Sequence, residues 1–283
     1  MKNLSSIKRR KKVSDIVAFI LISIGAVVVM IPLYWMLRTS LMDNVEINAY
    51  PPSLLPKNWL FSNYPEALTT FRFDKYLLNT LAIVIPVIIG VVVTASLAAY
   101  AFARLEFPLK NLWFSLIISS MLMPFAVTLI PTFLAWSKLG AYNTYYPLII
   151  PAFLGGGAFN IFLLRQFLLT IPKELDESAT IDGAGYIRIL NSILLPLIKP
   201  AIIVVVLFTF MNVWNDLMGP VVYLADPDKY TIAIGLNTFR GVYGTDWKAV
   251  MAASCVSVLP AIILYLFGQK YFLEGIVLTG IKA

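Results

Sequence analysis

Polar and apolar residues in this chain separate into blocks rather than alternating. Residues 16–37, 76–103, 111–137, 139–164 and 249–269 contain no Asp, Glu, Lys or Arg, and residues 200–225 contain one, Asp216. These runs are 21 to 28 residues long. A helix needs about 20 predominantly apolar residues to cross a bilayer core. Runs this continuous lack the two-residue alternation of a membrane barrel, so helices are the expected form. The pattern predicts an all-α membrane protein with six transmembrane helices, at about 16–37, 77–103, 111–137, 145–164, 200–224 and 249–270. Residues 1–15 form a basic N-terminus, 16–272 the six-helix domain and 273–283 a C-terminal tail. The first apolar run follows basic residues, as in a signal peptide. It exceeds a signal core of about 7–15 residues and no A-x-A site follows it, so it is read as span one.

Composition narrows the function classes. Of 283 residues, 59% are apolar and 13% charged, against roughly half and a quarter in a soluble domain. There is no histidine and one cysteine, Cys255. That removes the commonest metal ligand and general base, and any internal disulfide. Asp216 has no second intramembrane acid beside it, so neither a dyad nor a metal-dependent intramembrane enzyme has a candidate centre. No catalytic residue, metal site or cofactor is expected. The same solitary acid, with no evident internal repeat, speaks against an ion-coupled secondary transporter.

Charge sets the orientation. The net charge is +7, but the basic residues sit in short segments between apolar runs. With a cytoplasmic N-terminus, inner segments hold 14 Lys and Arg and outer segments 8. Positive-inside then places both termini in the cytoplasm of a multi-pass protein. The cluster Lys8 to Lys12 is read as an anchor at the lipid surface, with no nucleic-acid partner. Trp35, Trp136, Tyr145, Tyr146, Tyr223 and Trp247 fall near predicted outer ends, where amphipathic rings prefer the headgroup layer.

One inner segment is too elaborate for a turn. Residues 171–199 read IPKELDESATIDGAGYIRILNSILLPLIK. Pro172 suits a first helical position, and Glu174, Asp176 and Glu177 complement the helix dipole. Gly183-Ala184-Gly185 interrupts the helix. Ile187, Leu190, Ile193 and Leu194 then recur at helical spacing from Tyr186. The product is a helix, a sharp turn and a second helix, with Leu175, Ala179 and the Gly183 turn as a compact knob. Such a knob suits a partner, or an interfacial loop without one.

Within that loop, Glu177-Ser178-Ala179, Gly183 and Ile193-x-Leu195-Pro196 match a spaced pattern: E-A-A, three residues, Gly, nine residues, I-x-L-P. The departure is Ser178 for the first alanine. The pattern resembles the cytoplasmic loop of the membrane subunits of binding-protein-dependent ABC importers. Residues 97–108, 143–151, 162–175, 214–220, 243–254 and 270–283 extend the likeness to the maltose-type carbohydrate permeases, in particular the smaller subunit.

The resemblance implies a type I ABC importer permease fold with cytoplasmic coupling helices, in a bacterial cytoplasmic membrane. The chain would form half of a path for a sugar or oligosaccharide of the maltodextrin or galacto-oligosaccharide class. A non-sugar solute is the alternative. Implied partners are a second permease subunit in a heterodimer, a cytoplasmic ATP-binding subunit dimer and an extracellular or periplasmic sugar-binding protein. The chain lacks a phosphate loop: Gly155-Gly156-Gly157 has no following lysine. ATP hydrolysis is therefore assigned to a separate subunit. Implied ATPase-coupling residues are Glu174, Glu177, Ser178, Ala179, Asp182, Gly183, Ile193, Leu195 and Pro196.

Two further groups have two readings each. Asn212, Asn215 and Asp216 either line the solute path or hydrogen-bond between helices. Asn212 is placed on the face of Asp216, with Asn215 about 100° away on a continuous helix. In the outer segment, Gly235, Asn237, Phe239, Gly241 and Tyr243 either contact the binding protein or cap the outer face.

Overall fold

The computed structural model describes residues 2–69, 72–238, 240–241 and 244–280, with side chains at 11–69, 72–237 and 245–270. The described residues are almost entirely helical, apart from a hairpin pairing Arg240–Gly241 with Gly244–Thr245. They divide into two compact units, 1–71 with 239–256, and 72–238 with 257–283.

In the first unit, helix α1 (Lys2–Ser40) leads into an irregular segment. Its chain is stitched by side chains rather than by regular structure. The Asn63 amide donates to the carbonyls of Ser40 and Met42, both at 2.9 Å. Asp43 caps the short helix Asn44–Ile47 by accepting from the Glu46 N–H at 2.7 Å. Glu46 Oε1 in turn accepts from Ser53 Oγ and the Lys57 N–H, each at 2.9 Å. Lys248 Nζ pairs with Glu66 at 2.9 Å. The window of α1 that passes for a membrane span, within 11–40, has none of its surface buried inside the chain.

In the second unit, helix α2 (Phe73–Arg104) is the axis. Ile83, Val87, Val91, Ala95, Ala99 and Ala103 recur every fourth residue and are all buried. A four-residue ridge is the natural packing surface of one helix on another. It meets Ile161, Leu164 and Leu168 of the helix Ala158–Thr170 and Ala201 and Val205 of the helix Lys199–Trp214 in one cluster. Gly90 is required there: a Cβ would sit 2.9 Å from the Phe153 ring. Pro86 lies inside α2 without breaking it.

Several expected spans are interrupted. The single helix expected over 111–137 is two, α3 (Lys110–Ser120) and α4 (Phe125–Lys138), bent by 99°. Pro124 takes an extended conformation at the start of α4 and cannot donate a backbone hydrogen bond to continue α3. The fourth span breaks at Gly155, Gly156 and Gly157, all at positive φ, before α5 (Ala158–Thr170). Helix α6 (Glu174–Ile181) follows. The fifth span, α7 (Lys199–Trp214), stops well before residue 224, and a separate short helix α8 (Met218–Tyr223) succeeds it. The last helix, α9 (Trp247–Gly280), continues through most of the segment expected as a tail. Four helices among the described residues are long and apolar enough to cross a membrane, or six if each bent pair is one span.

Candidate functional site: the elbow after α5

The helix–turn–helix expected at 171–199 is present. Helix α6 carries Glu174, Asp176 and Glu177 in its first turn, while Pro172 lies just before it rather than at its first position. Gly183, at φ +81°, ends it. The Ala184 N–H reaches the Ala179 carbonyl at 2.9 Å and the Gly183 N–H reaches Thr180 at 3.0 Å. This six-to-one and five-to-two pair is the Schellman closure, which needs the left-handed residue that glycine supplies. The chain resumes through 186–197, with a π turn over Leu190–Leu194, and meets α7 at 82°.

The elbow is fixed to the bundle from beneath. Ile189, Leu190, Leu194 and Ile198 are buried in the same cluster as the α2 ridge. Ile187, expected at helical spacing with Leu190, is exposed, and Ile189 is buried instead. Ala179 is buried in that cluster, so its small side chain serves packing within the chain. Asp176 Oδ2 lies 2.7 Å from Arg104 Nε at the end of α2, with side chains 17% and 4% exposed. Arg104 Nη2 also donates to the Ile171 carbonyl at 2.8 Å. Arg165 braces α5 by donating from Nε to the Phe102 carbonyl at 3.1 Å and stacking its guanidinium on Phe114. Neither arginine was singled out from the sequence. Each looks like an ordinary charge at a membrane border, and their partners are distant in sequence.

The outer surface of the elbow is unlike its base. Glu174, Glu177, Ser178, Asp182 and Gly183 are exposed, and Ser178 Oγ turns back to the Glu174 carbonyl at 2.7 Å. Among the described residues the carboxylates of Glu174, Glu177 and Asp182 have no ion-pair partner. Leu175, Ile181, Tyr186 and Ile187 are exposed beside them, Ile181 at 86%. Ile193 and Leu195 are half-buried and Pro196 is exposed. A rigid projection tipped with free carboxylates and apolar side chains has the chemistry of a protein-docking surface.

The polar group at the end of α7 is arranged differently from the sequence expectation. The helix stops at Trp214, so Asp216 does not share a helical face with Asn212. Asn212 is exposed and Asn215 donates to the Met211 carbonyl at 2.8 Å. Asp216 Oδ1 caps α8 by accepting from the Gly219 N–H at 3.1 Å. Asp216 also borders a cavity of about 50 Å³ with Thr80 and Thr231. In the outer segment, Gly235 is buried where a Cβ would fall 2.3 Å from Tyr76, which gives that glycine a packing role. Asn237 is exposed and donates to the Ala233 carbonyl at 3.1 Å, and Gly241 lies in the hairpin. Phe239 and Tyr243 lie outside the described residues. Before this segment, Lys75 and Arg72 bind the Asp228 carboxylate at 3.1 and 2.5 Å and hold it below the usual carboxylate range.

A bundle of broken apolar helices carrying one anchored, outward-facing elbow defines a transport-system membrane subunit. The chain belongs to the family described as binding-protein-dependent transport system inner membrane component, which matches residues 90–276. It is 34% identical over 264 residues to an ABC transporter permease protein of Caldicellulosiruptor, covering 93% of this chain and 96% of that one. It is 32% identical to the sn-glycerol-3-phosphate transport system permease protein UgpE of Rhizobium meliloti, over 95% and 98% of the two chains. It is also 32% identical to the diacetylchitobiose uptake system permease protein NgcG of Streptomyces coelicolor, over 88% and 83%. Its fold matches a chain of a bacterial ABC transporter involved in the import of the acidic polysaccharide alginate, with a TM-score of 0.83, 24% identity and coverage of 93% and 98%. The ABC importer permease fold expected from the elbow pattern is thus the fold observed.

Proposed function

We propose that this chain is one half of the membrane pathway of an ATP-driven importer of a sugar or oligosaccharide, and that the elbow receives the work of a separate ATPase. The observation that carries the coupling reading is the contrast within the elbow. Its base is locked to α2 by apolar burial and the Arg104–Asp176 pair. Its tip leaves Glu174, Glu177 and Asp182 free. Glu177 binds a basic ATPase residue by a charge-assisted contact, and Gly183 keeps the tip compact.

The α3–α4 pair counts as one span in this reading and α7 alone as another, giving six, with both termini and the elbow cytoplasmic, in a bacterial cytoplasmic membrane. The apolar window of α1, which has no buried residue, and the exposed surfaces of the α3–α4 pair are left for a second permease subunit and for lipid. An external binding protein delivers the solute to the outer segment 226–248. The names of the relatives support a carbohydrate, and the maltodextrin or galacto-oligosaccharide class remains the proposal. The sn-glycerol-3-phosphate permeases favour a second reading, a small phosphorylated polyol.

The test is uptake in cells carrying Glu177→Lys or Gly183→Asp. Both variants should reach the membrane, lose transport and fail to retain the ATPase. Normal uptake by both defeats the coupling assignment. A panel of labelled glycans and polyol phosphates, offered to the wild type, identifies the solute.

A further inference from the structure

The first unit contains a buried cation that no carboxylate among the described residues answers. Arg38, at the end of α1, is 4% exposed. Its guanidinium lies over the Trp35 ring, 4.1 Å from the centroid, and its Nε has no hydrogen-bond partner. Among the described residues no carboxylate lies within ion-pair distance. The acids nearest to it in sequence are engaged elsewhere, Asp43 with the Glu46 N–H and Glu46 with Ser53 and Lys57, and Asp246, next to Trp247, accepts from the Ala249 N–H. A guanidinium cannot relieve this by shedding its proton. A buried, unpaired cation is unfavourable until an anion arrives.

Arg38 borders a pocket of about 220 Å³ with Trp35, Thr39, Asn48 and Trp247. The two indoles are 41% and 43% exposed. Asn48 uses its amide N–H on the Asn44 carbonyl at 2.7 Å, which leaves its Oδ1 as an acceptor. Aromatic faces suit the C–H face of a sugar ring, and flanking hydroxyl and amide groups suit its hydroxyl rim. The guanidinium fork matches a carboxylate in two parallel hydrogen bonds.

The geometry points to a binding site for one carboxylate-bearing sugar unit, with Arg38 on the carboxylate and Trp247 against the ring. It lies on the outer face in the proposed orientation and deepens the carbohydrate reading, on which it rests. The solute is then an acidic glycan in place of a neutral maltodextrin or galacto-oligosaccharide. A carboxylate side chain from the partner permease is the competing source of the same chemistry, but it would leave the indole-walled space unfilled.

The experiment is equilibrium binding to the assembled complex in nanodiscs, using a galacturonate trisaccharide and a galactose trisaccharide of equal length. Wild type should prefer the acidic probe by about 10–100-fold, the range of a charge-assisted pair. Arg38→Gln should erase that preference and Arg38→Lys should recover part of it. Asn48→Asp, a second variant that sets a like charge in the pocket, should weaken only the acidic probe. Equal binding of the two probes by wild type, or an unchanged preference in both Arg38→Gln and Asn48→Asp, overturns the site. Dissociation of the two permease subunits by Arg38→Gln, with the acidic preference of Asn48→Asp intact, assigns the carboxylate to the partner and also overturns it. An Asn48→Cys probe in a Cys255→Ala background separates the two levels. Labelling only from the cytoplasmic side overturns the orientation beneath the proposal. Labelling from outside without acidic preference overturns the site alone.

Discussion

The two ends of α2 are held differently. At its C-terminal end the elbow is joined by burial: Ile189, Leu190 and Leu194 enter the shared core, and Arg104 meets Asp176 away from solvent. At its N-terminal end Ile232 and Ile234 are buried, but the segment before them, 225–230, is tied by polar contacts. Asn79 donates to the carbonyls of Asp228 and Tyr230, both at 2.9 Å. Asn143 Oδ1 accepts from the N–H groups of Ala225 and Asp226, at 3.2 and 3.0 Å. The pairs from Arg72 and Lys75 to Asp228 are half-exposed. Buried contacts transmit displacement because a packed core does not deform continuously. Exposed polar contacts exchange with water and are screened by salt. The difference is what the proposed function requires of a subunit driven at the elbow and rearranged by a binding protein at the other end.

The largest expected effect comes from unpairing the buried end. Arg104→Ala leaves Asp176 in the interior without its cation and should cost about 3–5 kcal/mol. Thermal unfolding in detergent reads this, and uptake should fall with it. The paired variant Arg104→Met with Asp176→Leu should restore most of the stability, since an apolar pair of similar size replaces an ion pair at little cost. Failure of the double variant to recover would mean that the charges themselves matter.

Next in size is Asn143→Ala. The substitution removes the acceptor of two backbone N–H groups and places alanine at φ +56°. A loss of about 1–3 kcal/mol is expected, with faster hydrogen exchange confined to 224–232. An equal loss of protection in the elbow would erase the contrast between the ends.

The smallest effect concerns acid. Lys75 and Arg72 lower the Asp228 pKa, so the pair adds stability above the ordinary Asp value. That contribution is lost as pH falls through the lowered one. Hydrogen-exchange protection at 226–232, taken relative to the intrinsic rate at each pH, should fall on acidification below about pH 4 and in high salt, while protection at 189–198 stays unchanged. Asp228→Asn should abolish the local pH response and leave the elbow untouched.

Much of this architecture was legible in the sequence. Charge-free runs mark the apolar helices because burying a charge in lipid is costly, and Gly183 announces the elbow because only glycine closes such a turn without strain. The breaks were less legible. Pro86 sits within an unbroken helix while Pro124 begins a new one; the residue type is the same and only the packing differs. Asp216 was placed on the wrong face because α7 ends at Trp214 without a glycine or proline to mark it. The Arg104–Asp176 contact joins positions remote in sequence, which neither periodicity nor motif spacing can bring together.

Whether a neighbouring nucleotide-driven subunit grips the elbow is most directly read by cross-linking. Glu177→Cys, in a Cys255→Ala background, would be paired with cysteines introduced at basic surface positions of the co-purified ATPase. A disulfide between the two subunits is expected, with a yield that changes when ATP is bound. Modification of Glu177→Cys by an impermeant reagent from outside the cell, with no cross-link under any nucleotide condition, would contradict it.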